Sequence, residues 1–181
     1  MFLNDKIVVL DIEATCWARD EMPPGMEHDI IEIGICKYIV ATEEITEISR
    51  YYIQPERSVI SSFCTALTGI TPEIVAAEGI PFSEACRQIN KQYSTDKRAW
   101  AAYGAYDKQL IDEHCRSLNV PNPFSDTFLN IKALFAYKNK MEKNRGLTEE
   151  LHMINETFEG TLHKGQDDAY NAAKLLRWIL K

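Results

Sequence analysis

Two acidic residues, Asp11 and Glu13, directly follow a short apolar run near the start of the chain. The run, Ile7 to Leu10, is typical of a strand buried on both faces of a sheet. Side chains two positions apart in a strand share a face, so the Cα atoms of the two acids are expected roughly 6–7 Å apart. Like charges placed this way repel each other, and Mg²⁺ or Mn²⁺ would compensate them with favoured oxygen ligands. The alternative is a strand that ends at Asp11, with both acids simply hydrated.

Two further acids and one histidine can join this pair in space. Asp107 follows the apolar segment 98–103, and it would emerge at the same sheet end if that segment is a parallel neighbour of the first strand. Asp168 lies on the apolar stripe of the last predicted helix, where an acid needs a partner. His163 precedes that helix by a short loop.

Four carboxylates and one histidine at one place suit phosphoryl chemistry with two metal ions. Two divalent cations roughly 3.5–4 Å apart clamp the attacking and leaving oxygens of an in-line displacement. Their four positive charges would balance Asp11, Glu13, Asp107 and Asp168. A neutral histidine beside the attacking water suits a general base at neutral pH.

The elements that must position these residues follow from the hydrophobic pattern. Besides the first strand, strands are predicted at 30–40 and 44–53, joined as a hairpin, and at 98–103 and 124–129. Helices are predicted at 61–67, from Thr71, from Pro81, and at 106–118, 131–137, 147–154 and 165–181. In this order, strands come first and helices then alternate with strands. Such an order predicts a mixed α/β sheet flanked by helices.

Composition limits the class of protein. The 181 residues fit a single domain, 1–181, and the formal charge of −7 disfavours nonspecific nucleic-acid affinity without excluding an enzyme that grips a few terminal nucleotides. No apolar run approaches the roughly 20 residues that span a bilayer, so no membrane partner is expected. Five scattered cysteines without a CxxC pair predict reduced thiols and a cytoplasmic protein.

The five residues Asp11, Glu13, Asp107, His163 and Asp168 resemble the motif set of the DEDDh 3′–5′ exonucleases in order and spacing. The stretches at 11–17, 28–34 and 63–71 are similar to those of the Eri-type exoribonuclease subfamily. The resemblance implies an RNase H-like fold with a five-stranded mixed sheet, whose first three strands form an antiparallel meander followed by parallel strands. It also implies hydrolysis from the 3′ end with release of nucleoside 5′-monophosphates.

The resemblance also implies residues that line the pocket for the terminal nucleotide. Trp17 either stacks on a base or packs on the core, and Phe63 and Leu67 either press on the base from the other side or belong to the core. Glu32 is expected as a buried acid with a structural partner, not as a metal ligand. The expected pocket set is Ala14, Thr15, Cys16, Trp17, Phe63, Leu67 and His163.

The sequence thus predicts a metal-dependent 3′–5′ exonuclease that binds two Mg²⁺ or Mn²⁺ ions and acts on a nucleic-acid 3′ end, with RNA favoured. One alternative is a DNA-specific exonuclease of the proofreading kind, because contacts to the 2′-hydroxyl cannot be recognised in one sequence. The other alternative is a non-catalytic nucleic-acid-binding module on the same fold. Protein partners remain unspecified.

Overall fold

The chain forms one five-stranded mixed sheet in the computed structural model, which describes residues 3–18, 21–143 and 145–181. The spatial order is β3-β2-β1-β4-β5. Strands β1, β2 and β3 pair antiparallel, whereas β4 and β5 run parallel to β1. The predicted topology is confirmed. The strands are β1 (Leu3–Ala14), β2 (Ile30–Ile39), β3 (Ile45–Tyr52), β4 (Arg98–Ala102) and β5 (Phe128–Asn130).

Strand β1 is longer than its apolar core suggests. It extends to Ala14, so Asp11 and Glu13 lie within the paired strand, opposite Gly34 and Glu32 of β2. The interpretation that β1 ends at Asp11 is therefore wrong. Antiparallel pairing with β2 continues the strand past its apolar residues, because backbone hydrogen bonds do not depend on side-chain polarity.

Seven α-helices and a short 3₁₀ helix (Thr95–Lys97) are present among the described residues. Two starts illustrate the local rules: the hydroxyls of Ser61 and Thr71 accept backbone N–H bonds from Cys64 and Ile74. The helices are α1 (Ser62–Thr68), α2 (Pro72–Glu78), α3 (Phe82–Tyr93), α4 (Tyr106–Ser117), α5 (Ile131–Lys138), α6 (Leu147–Met153) and α7 (Gly165–Ile179).

The alternation of β1 separates two hydrophobic layers. Val8, Leu10 and Ile12 pack in one layer with residues of α3 and α4. Ile7 and Val9 pack in the other with residues of α5, α6 and α7. Because Asp11 and Glu13 continue the second series, they point toward α7.

The fifth strand differs from its prediction at 124–129. Only Phe128–Asn130 forms β5, and Phe124 packs its ring 4.7 Å from that of Trp100, centroid to centroid. An apolar residue that serves the core need not belong to a strand, and the pattern alone does not separate the two cases. Across residues 3–18, 21–143 and 145–181, no helix has the length and apolarity to cross a bilayer.

Candidate active site

Three carboxylates meet where β1 faces the start of α7. One oxygen each from Asp11, Glu13 and Asp168 lies within 4.8 Å of the others. Asp11 and Glu13 are neighbours on one face of β1, and Asp168 stands in the first turn of α7. The backbone fixes one oxygen of Asp168, because Oδ2 accepts the backbone N–H of Lys164 at 3.1 Å.

Asp107 approaches from the β4 side of the same strand. Strand β4 ends at Ala102, so it leaves the Ile12 N–H of β1 without a strand partner. Asp107, in the first turn of α4, accepts that N–H through Oδ1 at 3.1 Å. The bond holds one oxygen of Asp107 at Ile12, the residue between Asp11 and Glu13. The Asp107 carboxylate is not one of the three whose oxygens lie within 4.8 Å of one another.

Burial and mutual repulsion disfavour the charged forms of these acids. Burial raises the pKa of Asp11 well above its usual range, and repulsion from Asp107 and Asp168 adds to the rise. Burial, followed by repulsion from Asp168, raises the pKa of Glu13 to about 8. Burial also raises the pKa of both Asp107 and Asp168 to about 6.

The donor set fits a hard divalent cation. All the candidate ligands are carboxylate oxygens, which Mg²⁺ and Mn²⁺ favour. Burial is the main cause of the raised pKa values, and a bound cation would favour the charged carboxylates again. The acidic cluster is of the kind that holds metal in the metal-dependent DEDDh exonucleases.

His163 lies in the loop that leads into α7. Its side chain is exposed, and its backbone adopts the left-handed conformation with φ 59°. The backbone N–H of His163 also lowers the pKa of Asp168 by hydrogen bonding, against the larger effect of burial. The histidine therefore begins the segment that carries Asp168, with an imidazole free to face a ligand.

The predicted pocket residues that follow β1 are placed in different ways. Thr15 is fully buried, and its hydroxyl lies 2.7 Å from that of Ser58 and accepts the Asp29 N–H. Ala14 offers its carbonyl to the Cys64 thiol at 3.5 Å. Cys16 is half-buried, and burial raises the pKa of its thiol to about 12, which disfavours the nucleophilic thiolate.

A buried polar network holds this loop in place, and sequence reasoning did not anticipate it. Arg57 donates from Nε to Asp29 Oδ1 at 2.8 Å and contacts His114 Nδ1 at 2.7 Å. Burial, with repulsion from Arg57, lowers the pKa of His114 to about 4, which keeps the imidazole neutral. The His28 ring in turn contacts the Thr15 carbonyl at 2.7 Å.

Exposed apolar side chains are found on the elements that flank the acids. Phe63 and Leu67 on α1 are 42% and 41% exposed, so the core-packing alternative is wrong for them. Trp17 is half-buried with its ring centroid 5.8 Å from that of His28. Tyr106, 55% exposed and adjacent to Asp107, was missed, although an aromatic residue beside a candidate acid is a usable signal.

A family model described as "Exonuclease" (RNase_T) matches residues 8–176. The chain belongs to this exonuclease family. The resemblance to DEDDh exonucleases and to the Eri-type subfamily is confirmed by the relatives and by the structural neighbours.

Two relatives define the similarity in sequence. ERI1 exoribonuclease 2 of Mus musculus is 30% identical over 95% of this chain and 28% of the mouse protein. The 3′-5′ exoribonuclease 1 of Homo sapiens is 29% identical over 94% of this chain and 51% of the human protein. The chain thus spans between about a quarter and a half of the length of these relatives.

The fold is similar to that of a solved nuclease domain. The nuclease domain of 3′hExo, a DEDDh family member bound to rAMP, superposes with a TM-score of 0.86 at 26% identity. The match covers 97% of this chain and 92% of that domain. The RNase H-like arrangement of sheet and helices is therefore confirmed along nearly the whole chain.

Proposed function

We propose that this chain is a 3′–5′ exonuclease that removes nucleotides from the 3′ end of RNA and releases nucleoside 5′-monophosphates. The observation that carries the proposal is the convergence of Asp11, Glu13 and Asp168 within 4.8 Å, with Asp107 beside them. The chain acts in this proposal as one exonuclease domain, 1–181. Its five free cysteines favour a cytoplasmic location.

Asp11, Glu13, Asp107 and Asp168 would hold two Mg²⁺ or Mn²⁺ ions. When bound, such a pair stabilises charge on the attacking and leaving oxygens of a phosphodiester in line. The four carboxylates would supply the negative charge that balances the metal ions. Their oxygens have fixed positions because each acid lies on a regular element, β1, α4 or α7. The hydrogen bonds to Asp107 and Asp168 restrict both carboxylates before substrate arrives.

His163 is the general base in this proposal. Its exposed imidazole takes a proton from the attacking water, and the 3′ oxygen of the penultimate nucleotide leaves. Its exposed side chain, in the loop that leads to Asp168, supports this role. The segment that contains Ala14, Cys16 and Trp17 shapes one wall for the terminal nucleotide, and the buried Thr15 holds that segment in place from within.

Phe63 and Leu67 form the other wall. They lie one turn apart on α1, and both present apolar surface to solvent. A base stacked on the ring of Phe63 gains about 1–3 kcal/mol without sequence preference, and Leu67 adds apolar contact. Tyr106, exposed and adjacent to Asp107, is a further aromatic surface for the nucleotide, and Trp17 belongs to the opposite wall.

RNA is favoured as substrate by the relatives. Two are named exoribonucleases, and the related nuclease domain holds rAMP. The test is parallel digestion of matched RNA and DNA oligonucleotides with labelled 5′ ends, in Mg²⁺ and with a chelator as control. We expect a ladder that shortens from the 3′ end of RNA only with metal, together with 5′-monophosphates in solution.

The same digestion separates the alternatives. Shortening of DNA alone would identify a DNA exonuclease and refute the RNA assignment. Absence of metal-dependent nucleotide release from either strand would favour a non-catalytic binding module. A product with a 3′-phosphate would refute the position of bond cleavage.

A further inference from the structure

Glu32 is a fully buried acid next to the site, with no role in the five-residue set. It lies on β2 directly opposite Glu13 of β1, with no exposed surface. Its carboxylate is not in the group of oxygens that lie within 4.8 Å of one another. A buried carboxylate is costly unless hydrogen bonds and an opposite charge compensate it, so the contacts of Glu32 indicate its purpose.

The contacts of Glu32 lead to the first residues of α7. Its Oε2 accepts the backbone N–H of Gly165 at 3.3 Å. Arg50 of β3 places Nε 3.9 Å from Glu32 Oε1 and donates from Nε to Gln166 Oε1 at 2.9 Å. Glu32 and Arg50 therefore bind the two residues that open α7, one through the backbone and one through a side chain.

The helix start is also pressed against the sheet. A Cβ on Gly34 would lie 1.8 Å from the carbonyl carbon of Gly165, so backbone occupies the space of a side chain. A Cβ on Gly165 would lie 3.2 Å from the Asp11 carbonyl oxygen and 3.4 Å from Glu32 Cδ. The first residue of α7 is therefore packed backbone against backbone on β1 and β2.

The first turn of α7 carries Asp168, and the loop that enters it carries His163. Both must be set against Asp11 and Glu13, which belong to a different element. The Gly165 N–H lies at the helix N-terminus and has no intrahelical acceptor, and a charged acceptor such as Glu32 makes a stronger bond with it than a neutral one. The bond of Glu32 is thus the direct polar link between the helix start and the strand beside β1.

We propose that Glu32 is a positioning residue for the reaction, which fixes Asp168 and His163 relative to Asp11 and Glu13 by binding the Gly165 amide. This inference rests on the proposed exonuclease function. Glu32 acts through α7 and does not ligate metal. Arg50 supplies a positive charge 3.9 Å from Glu32 Oε1, an oxygen that accepts no hydrogen bond among the described residues, and its Nε binds Gln166.

Three variants test the proposal: Glu32→Ala, Glu32→Gln and the control Lys37→Met. Lys37 is a buried charge on the same strand, five residues away and roughly 17 Å along it, paired with Glu47. The first measurement is the affinity for Mn²⁺ alone, by calorimetry on substrate-free protein. The second is hydrogen exchange of the Gly165 amide by NMR, and the third is kcat and KM on an RNA oligonucleotide.

Loss of the acceptor should weaken Mn²⁺ binding in Glu32→Ala by about tenfold or more, as when outer partners of metal ligands are removed. Its Gly165 amide should exchange faster, and kcat should fall while KM for the oligonucleotide stays nearly unchanged. Glu32→Gln should recover most of the Mn²⁺ affinity, because the amide oxygen still accepts the N–H. Lys37→Met should match wild type in all three measurements.

Equal loss of Mn²⁺ affinity in Glu32→Gln and Glu32→Ala would overturn the proposal, since the charge itself would then act on the metal. Wild-type affinity in Glu32→Ala would overturn it as well. If Glu32→Ala does not fold, Glu32→Gln decides alone: near-wild-type affinity supports positioning and a tenfold loss refutes it. Inactive wild-type protein would refute the proposed function, whereas active wild type with an unaffected Glu32→Ala refutes only the positioning role.

Discussion

Asp11, Glu13 and Asp168 bring three carboxylates together in a largely buried place, where burial, with repulsion between the acids, raises the pKa of each. Such an arrangement lowers stability in the absence of a cation. Buried acids placed next to one another depart from the usual rules of folding, and such departures are common at functional sites. Here the acids come from two separate elements, β1 and α7. The clustered acids therefore indicate where the chemistry takes place. The hydrogen bond from the Ile12 N–H to Asp107 indicates how one of the carboxylates is held there.

Asp11→Asn and His163→Ala should each slow nucleotide release by about a hundredfold or more, the scale at which positioned acid–base and charged groups act. Asparagine removes one of the closely placed charges, and alanine removes the proposed base. The measurement is the rate of nucleotide release from a 5′-labelled RNA oligonucleotide in saturating Mg²⁺, with circular dichroism to verify folding. His152→Ala, an exposed histidine on α6, is the control, and near-normal rates in either site variant would exclude that residue from the mechanism.

Helix α7 is the element on which the site depends most. Its sheet-facing side carries small buried residues, Ala169, Ala172 and Ala173, which allow a close approach to β2. The Cys36 thiol of β2 reaches the Ala169 carbonyl at 3.6 Å. Because Asp168 stands on this closely packed side, the separation between helix and strand sets the separation between the acids.

Gly34→Ala should displace the start of α7. The new Cβ would meet backbone atoms of Gly165 at 1.8 and 2.0 Å, and backbone cannot rotate away as a flexible side chain can. We expect a lower melting temperature and loss of Mn²⁺ affinity, measured by thermal unfolding and calorimetry. Gly146→Ala is the matched control, since its Cβ would meet only a Glu149 side-chain oxygen at 3.7 Å. Unchanged metal affinity in Gly34→Ala would show that helix placement does not control the acids.

The whole molecule is acidic, with a formal charge of −7, and part of that excess is concentrated in the site. The basic residues between the end of α5 and the start of α6 do little to offset it. Lys138 binds carbonyls at the end of α7, and Arg145 lies 3.8 Å from Glu149. Attraction for a phosphate at the acids therefore depends on bound cations more than on the surface of the protein.

Mg²⁺ or Mn²⁺ should accordingly stabilise the folded chain. At 100-fold excess over Kd, binding adds about 2.7 kcal/mol, which corresponds to a rise in melting temperature of about 5–10 °C for a chain of this size. Thermal unfolding with and without millimolar metal measures the shift. Asp11→Asn should reduce it to less than half. A melting temperature that does not respond to millimolar metal would contradict the metal site.

The amino-acid sequence determined the elements and the chemical set by itself. Apolar periodicity located the strands and helices to within a few residues, and the helix start at Thr71, whose hydroxyl caps α2, follows from residue type alone. The spacing of Asp11 and Glu13 placed both on one face of a strand. These inferences succeed because they depend on residues that are neighbours in sequence. For such residues the backbone geometry of a helix or strand fixes the direction of each side chain.

Only the tertiary structure decided what depends on contacts between distant segments. The extension of β1 to Ala14 comes from pairing with β2, and the bond of Asp107 to Ile12 joins residues 95 positions apart. The same holds for Glu32 and Gly165, 133 positions apart, which meet because two glycines allow α7 to touch β2. No local pattern records such contacts, since they arise from how closely whole elements pack. The sequence therefore named the acids, and the packing of α7 on the sheet set the distances between them.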